Sequence, residues 1–185
     1  MLAAAVAVAA LGACDNTPAA APPAPVAASS AAAPGSPGTF GGTDLAWIEI
    51  TIAMDEELLP LLALVPSHGA DPGLKELSAQ LSEAHQGELV DLRALHDRAR
   101  LPDENPHKGM PMPGMVTPEQ VAEATAVRGA AFDTLVVRHL TAHLQQGVKL
   151  AESEGKSGVE PQTRALAERV IDNRRDWLTQ AKKYA

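Results

Sequence analysis

Cysteine occurs once in the 185 residues, at position 14. One cysteine excludes an intrachain disulfide. If Cys14 is consumed by processing, the rest of the chain holds no thiolate, and any metal chemistry must use histidine, methionine and carboxylates. Aromatic residues make up only 3% of the chain, so a core must be built mostly of Leu, Val, Ile and Ala. Basic residues are outnumbered, 15 against 23 acidic, for a formal net charge of −8. An acidic chain with so few aromatics lacks the basic face that nucleic acid requires, and no nucleic-acid partner is expected. Alternation of apolar and polar residues, the mark of a half-buried strand, is missing throughout, which leaves an all-α fold. No nucleophile stands with an orienting base and acid, so the chain is not read as an enzyme.

What is present divides the chain into three parts. Residues 1–13 are apolar and Ala-rich, and Leu11-Gly12-Ala13-Cys14 resembles a bacterial lipobox. On that reading 1–13 is a lipoprotein-type signal segment and Cys14 is the lipidated first residue of the mature protein. The apolar stretch of Met1 to Leu11 is about half the roughly twenty residues a spanning helix needs. Residues 14–42 are Ala, Pro, Ser and Gly with little else and read as a disordered tether. The expected location is extracytoplasmic, with the protein anchored to a membrane through its lipid. Residues 43–185 form the folded domain, large enough to bury about two-thirds of its unfolded surface.

Within that domain an internal repeat runs at a fixed offset of 89 residues, pairing Asp44 with Asp133, Ala53 with Ala142, Leu61 with Leu150, Gly69 with Gly158 and Pro72 with Pro161. The period exceeds the roughly 20–50 residues of solenoid units. It reads as a duplicated helical hairpin, two copies of which make a four-helix bundle of the ferritin-like type. The first helix is expected from Thr43 or Asp44, either of which can cap it. It should end near Val65, with Pro60 kinking or shortening it. Asp71-Pro72 opens the second, which runs to about Ala99. Thr117-Pro118-Glu119-Gln120 opens a short helix through a capping box. A long helix with Phe132, Val136, Leu140, Leu144 and Leu150 follows, and Pro161 opens the last.

Polar residues interrupt the apolar seams of these helices. The seam 45, 48, 52, 55, 59, 62 is Leu or Ile except for Asp55. In the second helix the seam is Leu except for His85 and Glu88, and in the third long helix it carries His139, His143 and Gln146. Uncompensated burial of such groups costs several kcal/mol each, so they need partners, and a shared cation is one. Asp55 lies 14 residues before Gly69, His85 lies 16 after it, and His143 lies 15 before Gly158. At ~1.5 Å per residue these positions fall within about one turn of the same height. His139 and His143, at i and i+4, share a helix face and can chelate one metal. A second candidate site is the connector His107-Lys108-Gly109-Met110-Pro111-Met112-Pro113-Gly114-Met115, whose thioethers and imidazole suit Cu(I). The same methionines would also serve as adaptable apolar filler at a bundle end.

These features resemble the bacterial DUF305 family of extracytoplasmic, ferritin-like four-helix proteins, over residues 44–181. The resemblance implies, in each half, an Asp followed by an apolar helix with Met and a His-His pair, then a Gln-x-x-Glu helix. Here the second half carries Asp133, His139 and His143, with His139 standing where the family tends to have Met. The first half carries Met54-Asp55 in place of the pair. The Gln-x-x-Glu element appears as His85-Gln86-Gly87-Glu88, and its counterpart in the last helix is Arg174 and Trp177. The Gly-Met-Pro-Met-Pro-Gly-Met loop matches the family's Met-rich connector. Some members are implicated in copper binding, so the resemblance implies a copper ion as cofactor.

The sequence therefore reads as an envelope lipoprotein that binds or buffers a transition metal, copper before others. The core candidates are His139, His143, His85, Glu88, Asp55 and Met54, and the loop candidates His107, Met110, Met112 and Met115. The alternative is a non-metal interaction or structural module with a decayed site, in which Arg174 replaces the cation and pairs with Asp55 or Glu88.

Overall fold

The computed structural model describes residues 39–185. Cys14, the signal segment and nearly all of the tether lie outside the described residues. Five α-helices follow in order: α1 (Gly42–His68), α2 (Pro72–Ala99), α3 (Pro118–Thr125), α4 (Gly129–Ser157) and α5 (Pro161–Ala181). A 3-10 turn, Lys182–Tyr184, closes the chain. No strand occurs among the described residues. The four long helices form the bundle. α1 pairs with α2 and α4 with α5, and the two hairpins meet chiefly where α1 packs on α4. α1 and α5 touch little and stand at opposite corners.

Local signals set most boundaries. Asp71 accepts a hydrogen bond from the Leu74 N–H at 2.8 Å and caps α2, with Pro72 in its first turn. Thr117 and Gln120 form the reciprocal capping box of α3. Two expectations for α1 are corrected. Its N-cap is Gly41 rather than Thr43 or Asp44, and Asp44 sits at the third helical position, where Oδ2 accepts the Gly41 N–H at 2.6 Å. Its end is His68 rather than Val65. Pro60 and Pro66 lie inside the helix on its exposed side, where a missing N–H is tolerated and the rings meet solvent. The seam inferred for α1 is also too narrow. Trp47, Thr51, Ala53, Met54, Glu57, Leu58 and Leu61 are buried as well, because α3 and the connector cover a further side of the helix.

Residues 89 apart do matching jobs. Asp133 of α4 accepts the Ala70 and Asp71 N–H groups, at 3.1 and 2.9 Å, in the loop of the first hairpin. Asp44 of α1 accepts the Val159 and Glu160 N–H groups, both at 3.0 Å, in the loop of the second. Each hairpin thus supplies the carboxylate that satisfies the orphan amides opening the other hairpin's second helix. Gly69 leaves room for this, since a Cβ there would stand 2.8 Å from Asp133 Oδ1.

The core has a layered composition. At one end Leu58, Leu61, Leu62, Leu74, Leu77, Leu81, Phe132, Val136 and Leu140 pack together. At the other Trp47, Ile48, Ile52, Leu89, Leu92, Leu95, Leu166 and Val170 do so. Each fully buried Leu or Ile contributes ~1.5–3 kcal/mol. Between these two apolar plugs lies a polar layer made of positions 55, 85, 88, 143 and 174.

Candidate metal centre

Asp55 comes from α1, His85 and Glu88 from α2, His143 from α4 and Arg174 from α5. The layer draws on all four long helices, so that α2 meets α4 and α1 meets α5 through polar side chains at this level. Asp55, His85, His143 and Arg174 are each at most 2% exposed.

His85 Nδ1 is 2.9 Å from the Leu81 carbonyl oxygen, an acceptor only, so Nδ1 carries the proton and Nε2 presents a lone pair. That Nε2 lies 3.2 Å from His143 Nε2. Asp55 Oδ1 lies 3.4 Å from His143 Nε2 and 3.8 Å from His85 Nε2. Neither tautomer of His143 satisfies this arrangement. With its proton on Nε2 it can donate to His85, and Nδ1 is left buried without a hydrogen bond. With its proton on Nδ1, two nitrogen lone pairs confront each other beside a carboxylate. A cation among the three atoms resolves the second case. The circumradius of a triangle with sides 3.2, 3.4 and 3.8 Å is about 2.0 Å, within the roughly 2.0–2.2 Å of metal–imidazole and metal–carboxylate bonds. Asp55, His85 and His143 form a group with metal-ligand spacing, and a second orphan, Asp55 Oδ2, is buried with them.

Electrostatics keep both imidazoles available. Burial pushes His85 below the usual histidine range; Asp55 opposes this, while His143 and Arg174 add to it. Burial, with Arg174, pushes His143 well below that range. Both rings are neutral at neutral pH, the state a metal requires. Burial and the Asp55 charge push Glu88 up to about 7, against the pull of Arg174. Burial disfavours the Arg174 charge, yet Glu88 and Asp55 outweigh it and hold the guanidinium above its ordinary value.

Arg174 is the fourth wall. Nη2 donates to Asp55 Oδ1 at 2.7 Å and to Glu88 Oε1 at 2.9 Å. Its Nε and Nη1 are buried without a hydrogen bond. Gly147 makes space for it, because a Cβ there would stand 2.7–2.8 Å from Cδ, Nε and Cζ. The pairing of Arg174 with both Asp55 and Glu88 is the one anticipated for a cation-replacing arginine.

The other sequence candidates are dispersed. His139 is half-buried on α4 with its Nε2 3.4 Å from Arg138, and it is not gathered with His143. It stands one helical turn before His143. Met54 packs with Met115, Met112 and Ala53 in a small apolar cluster between α1 and the connector. Met110 is exposed. His107 is half-buried, and its backbone N–H bonds Asn105 Oδ1. The connector reaches the layer through Gly114, whose carbonyl approaches His143 and whose φ of +78° suits glycine. Sequence reasoning missed Gly147 and Glu154. Glu154 stands 89 residues after the apolar Val65, and no periodicity marks it.

Fold and donor set together define an all-helical bundle with a buried histidine–carboxylate centre between two apolar layers. The sequence matches the model of the domain of unknown function DUF305 over residues 44–184, and the chain belongs to that family. A DUF305 fragment from Deinococcus radiodurans shares the fold at 14% identity and a TM-score of 0.69, over 78% of this chain and 95% of that one. A DUF305 protein of Streptomyces coelicolor, proposed to be secreted, does so at 15% identity and 0.67, over 75% and 89%. CopM in its Cu(I)-bound form does so at 16% identity and 0.65, over 78% and 96%. CopM has also been crystallised with silver and with Cu(II). At these identities the likeness establishes the fold. No curated protein matches the sequence.

Proposed function

We propose that this protein binds one transition-metal ion, copper before others, between Asp55, His85 and His143, and that it does so outside the cytoplasm, tethered by a lipid on Cys14. One observation carries the metal reading: three buried donors converge on a common point at bonding distance, and neither histidine tautomer satisfies them without a cation. The copper-bound and silver-bound forms of CopM, a protein of the same fold, support the choice of metal. The lipobox-like Leu11 to Cys14 and the relative from Streptomyces coelicolor support the location. Bound there, the ion would be held rather than presented for reaction, since apolar layers close the bundle on both sides. The role is storage or buffering. The thioethers of Met54, Met112 and Met115 are soft donors that suit Cu(I) during entry.

The test is metal content and thermal stability of the mature domain, purified without a His tag and loaded with Cu(I), Cu(II) or Zn(II). A ligand at a hundredfold excess over its Kd stabilises the folded state by about 2.7 kcal/mol. Copper should therefore raise the melting temperature of the wild type, and His143→Ala should abolish most of the gain. A melt unmoved by any metal refutes the reading.

A second reading is favoured by Arg174, which already bridges Asp55 and Glu88. In that reading the guanidinium is the only cation of the layer, and the protein is an interaction or structural module of the envelope. Metal then changes neither the melt nor the metal content.

A further inference from the structure

Arg174 places a permanent positive charge against a donor set that is otherwise suited to any transition metal. A guanidinium does not lose its proton under any condition in which the protein is folded. It also has no room to withdraw, because its Cδ, Nε and Cζ lie against Gly147 and the side chain is 2% exposed. Its Nη2 is 2.7 Å from Asp55 Oδ1, the same oxygen that faces both imidazole nitrogens. The layer therefore holds one guanidinium, two neutral rings, the Asp55 carboxylate and Glu88, whose carboxyl is part-protonated near neutral pH. That leaves a capacity for at most one further positive charge in a water-poor core. A second charge on the ion doubles the repulsion from the guanidinium, and this term is strong where the effective dielectric is low.

We infer that Arg174 is a specificity-determining residue: it sets the centre to accept a monovalent soft cation and to reject divalent ones. The inference rests on the metal reading above and adds the charge of the ion that the centre selects.

Ag(I) and Zn(II) separate charge from electron count, since both have filled d shells. Their affinities are measured on the full-length protein by competition with a metal-buffering chelator, and the Ag(I)/Zn(II) affinity ratio of each variant is divided by that of the wild type. This normalisation removes the intrinsic difference in softness. Arg174→Gln should lower the ratio about tenfold or more by admitting Zn(II). Arg174→Lys, which keeps the charge, should stay within about twofold of the wild type. Glu88→Gln removes the negative charge that Glu88 carries when ionised, retains a hydrogen-bond acceptor for Arg174 and, measured above pH 7, should raise the ratio. Its fold does not depend on the survival of Arg174→Gln. The inference is overturned if Arg174→Gln leaves the ratio within twofold of the wild type, or, should that variant not fold, if Glu88→Gln fails to raise it. Wild-type protein that takes up neither ion overturns the metal reading and the inference with it. Wild-type protein that binds Ag(I) while the variants leave the ratio unmoved overturns the inference alone.

Discussion

Replacing Arg174 with methionine should be the most damaging single change in the polar layer. Methionine keeps much of the buried length and removes the charge, so the change isolates the ion pairs from simple loss of volume. Two acceptors lose their donor, Asp55 Oδ1 at 2.7 Å and Glu88 Oε1 at 2.9 Å. Asp55 is then left fully buried with Oδ2 already unpartnered. Breaking a buried pair by removing one partner costs about 3–5 kcal/mol. For a domain of this size each kcal/mol moves the melting temperature by roughly 2–4 °C, which gives a fall on the order of 6–20 °C. Urea denaturation followed by circular dichroism measures the loss directly. The triple change Asp55→Asn, Glu88→Gln and Arg174→Met should recover most of it, because uncharged groups are cheaper to leave in a dry layer than stranded carboxylates. A loss below about 1 kcal/mol in Arg174→Met, or no recovery in the triple variant, would refute the view that the guanidinium neutralises the layer.

Three further outcomes follow from other parts of the molecule. Glu154 is fully buried beside Asp44, and burial together with the Asp44 charge pushes its carboxyl from 4.5 up to about 8. The folded state then holds a proton that the unfolded state gives up, so this group's stabilisation is lost as pH rises from about 4.5 to about 8, on the order of 3–5 kcal/mol at the limit. His85 and His143 act in the opposite sense, their contribution fading as pH falls below the usual 6.5. Glu154→Gln should remove this group's decline in urea midpoint between about pH 4.5 and 8 and leave the histidine-driven loss at low pH in place. Asp133→Ala strips the carboxylate from the Ala70 and Asp71 amides and should cost about 1–2 kcal/mol, with faster hydrogen exchange at those two amides as the local readout. Cys14→Ser should move the protein from the membrane fraction to the soluble fraction, and unchanged partition would dismiss the lipid anchor.

The all-α class, the four long helices and most of their boundaries were legible in the sequence, because each rests on a local device. Asp71-Pro72 and Thr117 to Gln120 are caps whose donors and acceptors lie within three residues of each other. Leu74, Leu77, Leu81, Leu92 and Leu95 keep one stripe that can only face a core. The family was legible too, as a resemblance carried by Asp133, His143, His85-Gln86-Gly87-Glu88 and the Met-rich connector. Height along antiparallel helices was enough to level Asp55, His85 and His143, since rise per residue is fixed by the backbone.

What the sequence could not decide was rotation about each helix and contact across the bundle. His139 and His143 are both on the seam by count, yet only His143 reaches the layer, because which of two successive turns meets Asp55 and His85 depends on how α4 docks against α1 and α2. Met112 and Met115 turn inward to Met54 while Met110 faces solvent, a matter of how the Pro- and Gly-rich connector drapes over α1. Asp44 and Asp133 were visible as a repeated pair, but their exchange of caps between hairpins joins residues more than sixty positions apart. The contact of Arg174 with Asp55 spans 119 positions. Local physics fixes helices and their ends; the partner of a buried charge is set only when the hairpins close around it.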